Sequence, residues 1–509
     1  MGERAGFMAK NTIALYFRML FTLGVGLYCS RVVLNILGID DFGIYNIVGG
    51  VIGMLAFINS SMAGATQRFL TFELGKSNKF VLTKTFNLSI TIHILIAAVI
   101  LVLTETIGLW LVYNKLVIPT DRLDTALWVF HSSVLASAIG IITVPYVAII
   151  NAHEKMNIFA YISILEVVLR LGIVFLLPLF PMDKLQLYGI LTCAVSVVTF
   201  LVYFFICTKL FEEARVRRLI WDSRLFKRMI VFSGWVLNGN LAVVGYTQGV
   251  SILLNLFFGP AVNAARGIAT QVQNAVNNFS YNFQRAMNPQ IIKSYAANDL
   301  ERMHRLIYSS TKITFFLLFI VCIPIYFDTH FVLLKWLKQI PPHTVVFVQL
   351  SLLISLVSSL SYSLIVAIHS YGDIKRFQLW EGTILLMILP ASYVLLKNGY
   401  PAESTLIIHL LFSIVAQVAR VLIVRKAVKF HLSEYFHKVI FKIIITVPFC
   451  LIVPFLINEN MDSGWLRLGI MTTASIFSVC CFGYLLALGK DEKIVIHYLF
   501  NKIILGKTV

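Results

Sequence analysis

The sequence has little charge, few acidic residues and few cysteines. Only 13% of its 509 residues are charged, and 24 acidic residues stand against 42 basic ones, which gives a formal net charge of +18. The seven cysteines, at positions 29, 193, 207, 322, 450, 480 and 481, show neither metal-ligand spacing nor the pattern of a disulfide framework. We therefore expect no metal site, no cofactor and no disulfide-stabilised domain.

The sequence also lacks a polar stretch long enough to form a separate soluble domain. Hydrophobic residues make up 59% of the chain, and the mean hydropathy is +0.84. A soluble protein of this composition could not cover its surface with polar groups, so the bilayer is the expected solvent. No cleaved signal peptide is predicted, because the first apolar segment contains Arg18 and Arg31 and no small-residue cleavage site.

Apolar stretches of about 20 residues predict 14 transmembrane helices. The predicted spans are 12–37, 42–66, 85–113, 123–150, 157–180, 187–209, 227–257, 261–287, 306–327, 344–369, 378–396, 405–424, 437–457 and 465–488. The eighth of them is the least hydrophobic. The expected fold class is an all-α polytopic membrane protein, so its function must be built from helices and short connections.

The basic residues are distributed unevenly between the predicted loops. When the loops are assigned to alternate sides, one side carries 28 of the 42 basic residues and the other carries eight. The positive-inside rule places the first side, and with it both termini, in the cytoplasm. Basic loops against an anionic inner leaflet also account for the net charge, so no nucleic-acid partner is expected.

Two segments of the chain resemble each other, 34-LNILGIDDFGIYNI-47 and 254-LNLFFGPAVNAARGI-268. Gly38 lies 29 residues before Gln67, and Gly259 lies 29 residues before Asn288. A repeat of six helices gives two halves of the same orientation, which is an architecture of transporters. We predict an N-lobe at 11–210, a basic cytoplasmic linker at 211–226, a C-lobe at 227–425, two extra helices at 436–489 and a cytoplasmic tail at 490–509.

The eighth predicted span is amphipathic and unusually rich in amide side chains. On a helix with 100° per residue, one arc carries Asn263, Arg266, Thr270, Asn274, Asn277, Asn278, Tyr281, Gln284, Arg285 and Asn288. The second predicted span has a quieter polar face that includes Asn59 and Gln67. Such residues could join helices to one another, could belong to a helix lying flat on the membrane, or could line a water-filled cavity. We favour the cavity, lined by both spans.

The charges within the predicted spans are mostly basic. Glu166 and Arg170 are four residues apart and predict a neutralising pair. Arginine suits bidentate recognition of phosphate, so the remaining cations predict a cationic lining. The alternative is that they extend to a membrane interface. The basic residues are Arg18, Arg31, Arg170, Arg266, Arg285 and Lys312, against Glu105, Glu166 and Glu381.

The stretch 9-AKNTIALYFRMLFTLGVGLYCSRVVLNILGIDDFGIYNIV-48, with its LG-x-x-x-FG-x-Y turn, the segment 62-MAGATQRFLTFELGK-76 and the 6+6+2 layout resemble the Wzx-type polysaccharide flippases. Their superfamily also holds the multidrug and toxin extrusion (MATE) pumps and the lipid II flippase. The resemblance covers nearly the whole chain and implies two six-helix lobes in a MATE-like V shape. It implies a bacterial inner-membrane protein that moves undecaprenyl-diphosphate-linked oligosaccharide repeat units outward by alternating access, for O-antigen, lipopolysaccharide, capsule or exopolysaccharide biosynthesis.

The resemblance also implies partners and site residues. The partners are the polyprenyl-diphosphate-linked oligosaccharide, the lipid bilayer, and a polysaccharide polymerase with its chain-length machinery. Cationic residues on helices 1, 2 and 8 line the lumen in that family, whereas the first arginine of helix 2 here is Arg68, at its cytoplasmic end. The matching candidates here are Arg18 or Arg31 on helix 1 and Arg266 or Arg285 on helix 8. Together with the polar faces, this gives the expected substrate-binding residues: Arg18, Arg31, Arg266, Arg285, Asn274, Asn277, Asn278, Gln284, Asn59 and Gln67.

Two other functions stay open. A multidrug or cation exporter of the same fold would need acidic residues in its cavity, where this sequence has arginines and amides. A membrane-embedded glycosyltransferase or polymerase could act on the same polyprenyl sugars, and Asp40 and Asp41 in the first outer loop suit a metal-dependent transferase. The large external loop typical of such enzymes is missing. We therefore expect a transporter and not an enzyme.

Overall fold

The computed structural model describes residues 15, 17–26, 28–29, 32–33, 36–38, 41, 44–45, 48, 56–114, 118–215, 221–258, 260–337, 340–489 and 492–493. Every regular element in these ranges is helical, which confirms the predicted all-α class. The helices are α1 Phe17–Gly26, α2 Ala56–Gly75, α3 Lys79–Leu103, α4 Leu109–Asn114, α5 Leu123–Ala152, α6 Met156–Leu176, α7 Lys184–Leu210, α8 Ser223–Phe258, α9 Pro260–Ala296, α10 Leu300–Phe327, α11 Thr329–Leu337, α12 Thr344–Ser359, α13 Tyr362–Tyr371, α14 Lys375–Leu386, α15 Ile388–Lys397, α16 Ser404–Val428, α17 Leu432–Tyr435, α18 Phe441–Asn460 and α19 Trp465–Phe482.

Within the described residues, 11 helical segments are long and apolar enough to cross a membrane. They coincide with the predicted spans except 12–37, 42–66 and 261–287. The first two of these lie partly outside the described residues, and the third lies in α9, which is long enough to span but much less apolar. The chain is therefore a multi-pass membrane protein, and the count of 14 spans stays a prediction.

The chain divides into two compact units, whose described residues fall in Lys10–Leu237 and Asn238–Val509. The first unit is built on α3, α5, α6 and α7, and one of its core clusters includes Val129, Phe130 and Leu185, all with no exposed surface. The unit boundary lies inside α8. The predicted lobe and linker limits stay predictions.

The second unit has its core around α9, α10, α12 and α16, and Phe347 and Phe377 are among its largest wholly buried side chains. The last helices, α18 and α19, pack on α10. There the buried Lys312 donates to Glu492 (2.7 Å), which also accepts from Ser309 (2.6 Å). Burial acts to raise the pKa of Glu492, but the Lys312 ammonium and these hydrogen bonds outweigh it, so this pKa is lowered. Lys312 therefore holds the end of the chain to the unit.

A common offset of 221 positions relates helices of the two units. Helices α3 and α10 begin at Lys79 and Leu300, and α5 and α12 begin at Leu123 and Thr344. The offset is the same as that between Gly38 and Gly259, which the sequence repeat pairs. Helix α9 of the second unit accordingly corresponds to α2 of the first.

The turns that follow these two helices have the same geometry. Ser77 and Asn298, also 221 positions apart, both have left-handed φ angles, of 57° and 60°. The next residue caps the following helix in each unit, because Asn78 accepts from the Val81 N–H (3.1 Å) and Asp299 accepts from the Arg302 N–H (3.0 Å). The repeat is thus present in local backbone structure as well as in helix positions.

Candidate functional site

Helix α9 carries an exposed stripe, rich in polar residues, between residues 267 and 281. Its exposed positions recur every three or four residues, which is the spacing of one helix face. Tyr281 is 53% exposed and lies at the C-terminal end of this face. The exposed residues are Gly267, Thr270, Gln271, Asn274, Ala275, Asn278 and Tyr281. An exposed stripe of amides along a helix this long agrees with the predicted polar face and identifies Asn274 and Asn278 as its most accessible members.

One edge of the predicted stripe is turned into the second unit. Arg266 and Gln284 are buried, at 8% and 4% exposure, and the Oδ1 atom of Asn277 is buried as well. The exposed face of α9 is therefore rotated about the helix axis from the predicted one. Asn274 and Asn278 are exposed as predicted, but Gln271 and Ala275 are exposed where Arg266 and Gln284 were expected. The side chain of Asn263 lies outside the described residues.

Several amides of α9 serve helix packing. The Gln284 amide nitrogen donates to Thr314 Oγ1 (2.6 Å) on α10 and lies 3.4 Å from Ser363 Oγ on α13. Gln273 donates to the Ser351 carbonyl (3.2 Å) on α12. These contacts match the alternative in which amides join membrane helices. Gln284 therefore lies in the interior of the second unit, where it contacts α10 and α13.

Arg266 is a buried cation, and its described neighbours Ser251, Tyr246 and His409 carry no negative charge. Its Nε donates to Ser251 Oγ (3.2 Å) on α8. Tyr246 and His409, joined by a 3.2 Å hydrogen bond between Oη and Nε2, interact electrostatically with its guanidinium. Among the described residues no carboxylate lies within ion-pair distance of Arg266. A guanidinium in such surroundings is costly in a bilayer and suits an anionic ligand.

The corresponding face of α2 in the first unit is formed by small residues. Ser60 and Gly64 are exposed, and Asn59, Ala63 and Gln67 beside them are half-buried. The Gln67 Oε1 accepts from Asn151 Nδ2 at 3.4 Å, whereas the buried Oδ1 of Asn59 has no hydrogen-bond partner among the described residues. Helix α2 therefore offers two amides at the border of a shallow face.

The other predicted cations differ in their surroundings. Arg18 is half-buried in the first unit, with its guanidinium carbon 5.0 Å from the centre of the Phe159 ring. Arg31 lies outside the described residues. Arg285 is half-buried on α9, one turn beyond Tyr281. The structure therefore places Arg285 beside the exposed stripe and Arg266 behind it.

All three carboxylates that the sequence places within the spans have basic partners. Arg170 Nη2 lies 3.0 Å from Glu166 Oε1, which confirms the predicted pair. His131 Nδ1 lies 3.0 Å from Glu105 Oε1, and Arg420 Nε donates to Glu381 Oε1 at 3.1 Å. None of these carboxylates lies on α2 or α9.

A helix break in the second unit was not predicted. The apolar span Thr344–Tyr371 is divided at residues 360–361 into α12 and α13. Side chains of α16 bind the break: Gln417 Nε2 donates to the Leu360 carbonyl (3.1 Å), and Arg420 Nη1 donates to Ser361 Oγ (2.9 Å). Tyr362 begins α13, and its ring packs on Tyr281 with centroids 5.5 Å apart. The hydroxyl-rich run 358-SSLSYS-363 is the sequence signal that could have indicated the break.

Asp41, the residue that suits a transferase, is held in an ion-pair cluster. Arg122 donates from Nε to Asp41 Oδ1 (2.9 Å) and from Nη1 to Asp183 Oδ2 (2.6 Å). Asp183 also caps α7, accepting from the N–H groups of Leu185 and Gln186. Arg122 thus joins Asp41 to the segments that precede α5 and α7; Asp40 lies outside the described residues.

The chain is similar to solved MATE-type transporters. An outward-facing multidrug resistance MATE family transporter of the MOP superfamily aligns with a TM-score of 0.70 and 13% identity, covering 84% of this chain and 98% of its own. A MOP superfamily transporter from Pyrococcus furiosus, described as having a binding pocket of reverse polarity that suggests a different function, gives 0.67 and 13%, with 84% and 96% covered. A Vibrio cholerae MATE transporter in the bent form gives 0.63 and 15%, with 84% and 98% covered.

No protein-family model matches the chain, and no curated protein matches it. The likeness to solved structures concerns the fold, because identities of 13–15% carry little information about a ligand. It confirms the MATE-like fold expected from the sequence.

Proposed function

We propose that this protein is a flippase that translocates undecaprenyl-diphosphate-linked oligosaccharide repeat units across the bacterial cytoplasmic membrane. The observation that carries this proposal is the exposed stripe of amides and Tyr281 along α9. Amides exposed on a transmembrane helix require water or a polar ligand beside them. A sugar chain supplies many hydroxyl groups, which amide side chains can bind both as donors and as acceptors.

The charge pattern supports an anionic head group. The sequence of α9 contains no acidic residue and holds Arg266 and Arg285. A diphosphate entering the bilayer requires cations, and the guanidinium group is suited to it. With the cell interior negative, outward movement of an anion is favoured by about 2.3 kcal/mol per charge per 100 mV. Arg18, Arg31, Asn59 and Gln67 of the first unit complete the proposed set of contacts, whereas Gln284 fits a packing role.

A multidrug or cation exporter is the second candidate, because the similar solved structures include multidrug transporters. A cationic cargo would need carboxylates on the exposed faces, yet Glu105, Glu166 and Glu381 each have a basic partner. The charge pattern therefore favours the lipid-linked sugar over a cationic drug.

The proposal is tested by deleting the gene in its host and determining the leaflet in which lipid-linked sugars accumulate, from their sensitivity to an external glycosidase. We expect intact repeat units to accumulate in the inner leaflet, and Arg266→Ala and Arg285→Ala to complement poorly. The external Lys397→Ala on α15 is a control that should complement fully. Repeat units that reach the outer leaflet but stay unpolymerised would overturn the flippase and favour an enzyme, and drug sensitivity without sugar accumulation would favour the exporter.

A further inference from the structure

Tyr281 is an aromatic residue at an unusual place. Its ring is 53% exposed, yet its neighbours on the same face of α9 are the exposed amides Asn274 and Asn278. Lipid chains do not suit a face that carries exposed amides. The corresponding position in the first unit, 221 residues earlier, is Ser60. The second unit therefore has a large exposed ring where the first has a small hydroxyl group.

The Tyr281 ring is held by the helix break. Tyr362 packs on it with ring centroids 5.5 Å apart and an angle of 43° between the ring planes. Tyr362 is fixed because it begins α13 directly after residues 360–361, which Gln417 and Arg420 bind from α16. Discontinuous helices are a common way for transporters to build a binding site. The pair of rings is thus organised before any ligand arrives.

The chemistry of this pair suits a sugar ring. A tyrosine presents a broad apolar face with little conformational entropy to lose, and it keeps a polar edge. A pyranose has an apolar C–H face and a rim of hydroxyl groups, so it can stack on the ring while amides bind its rim. A polyprenyl chain would prefer a face without amides.

We propose that Tyr281, supported by Tyr362, is a stacking platform for one pyranose ring of the lipid-linked oligosaccharide, with Asn274 and Asn278 binding its hydroxyl groups. This inference rests on the proposed function and adds to it a residue that selects glycosylated over bare lipid carrier. Arg266 and Arg285, by contrast, serve the diphosphate that both lipids share.

The test compares two lipids on the full-length protein in nanodiscs: undecaprenyl diphosphate bearing N-acetylglucosamine, and undecaprenyl diphosphate without sugar. Because stacking depends on the C–H face and not on one pattern of hydroxyls, this probe is sufficient. We expect the sugar-bearing lipid to bind about tenfold more tightly. Tyr281→Ala and Tyr281→Leu should reduce that ratio to about one with bare-lipid binding unchanged, and Tyr281→Phe should largely keep it.

Tyr393→Ala is the matched control, since Tyr393 is an exposed tyrosine of the same unit on α15. Equal binding of both lipids by the unmodified protein, or an unchanged ratio in both Tyr281→Ala and Tyr281→Leu, would overturn the platform and leave the flippase standing. Failure to bind either lipid would overturn the proposed function and the platform together.

Discussion

Two helices at corresponding positions of the two units differ in their continuity. Helix α5 runs unbroken from Leu123 to Ala152, even through Pro145, whereas its counterpart is divided into α12 and α13 without a proline at the break. Backbone groups freed by a break must be bound by other groups in a membrane. In the second unit Gln417 binds the Leu360 carbonyl, while Arg420 binds the side chain of Ser361. The residue 221 positions before Arg420 is Thr199, so the first unit has no arginine at this place, and the break in the second unit does not require a proline.

The exposed faces of α2 and α9 also differ, in the size and charge of their side chains. Ser60 and Gly64 in the first unit correspond to Tyr281 and Arg285 in the second. The first face is shallow and nearly neutral, and the second is aromatic, amide-rich and basic. The second unit thus differs from the first by the break between α12 and α13 and by an aromatic and a basic side chain where the first has serine and glycine.

The largest effect is expected at the ion pair beside the break. Arg420→Gln leaves the Glu381 carboxylate without its charged partner in a buried site, which should lower the free energy of unfolding by about 3–5 kcal/mol. Arg170→Gln in the first unit breaks a pair whose side chains are 43% and 36% exposed, so it should cost at most about 1 kcal/mol. Thermal unfolding in detergent measures both variants. Equal losses of stability in the two variants would show that the buried Arg420–Glu381 pair contributes no more than the exposed Arg170–Glu166 pair.

The second prediction concerns the free space around Gly64 on the exposed face of α2. An added Cβ at Gly64 would meet no atom within 4 Å, and the same holds at Gly140 on α5. Gly64→Leu should therefore fold normally but lower transport at least about tenfold, or about 1.4 kcal/mol, because its side chain fills the shallow face. Gly140→Leu is the control and should transport normally. Full transport by Gly64→Leu would show that substrate does not approach α2.

Most of the membrane-spanning helices could be predicted from the sequence alone. Eleven spans follow from apolar runs, because a bilayer requires about 20 apolar residues whatever the neighbouring helices are. The polar stripe of α9 follows from periodicity. The burial of Arg266 and Gln284 and the break at residues 360–361 could not be predicted, since they depend on which side chains of α8, α10 and α16 lie opposite.

The third prediction compares two amides of α9. Asn278 is exposed, whereas Gln284 bonds Thr314 and lies near Ser363 inside the second unit. Asn278→Ala should lower transport about threefold to tenfold without changing the melting temperature. Gln284→Ala should cost about 1–3 kcal/mol of stability, because it removes hydrogen bonds between buried groups. If the two variants change the same property, exposed and buried amides of this helix do not have separate roles.

The smallest effect is expected at the ion pair of Arg122 and Asp183. The second unit has a histidine, His343, at the position that corresponds to Arg122. Arg122 and His343 are 221 positions apart; Arg122 binds Asp183, and His343 binds Glu403 at 2.5 Å. Burial acts to raise the pKa of Asp183, but the hydrogen bond and charge of Arg122 and the N–H groups at the start of α7 outweigh it, so this pKa is lowered from 3.8. Asp183→Asn removes the charge and keeps a side chain that can cap α7.

Because the Asp183 pKa is lower in the folded protein than in the unfolded chain, its contribution is fully present above the unfolded value and is lost as the pH falls through the folded one. At pH 7 the unmodified protein should exceed Asp183→Asn in stability by about 1 kcal/mol. The difference should shrink from about pH 4 downward and vanish in stronger acid, which melting curves between pH 7 and pH 2 would record. A difference that stays constant over this range would assign the loss to packing or capping, and the Arg122 pair would then add no charge-dependent stability to the first unit.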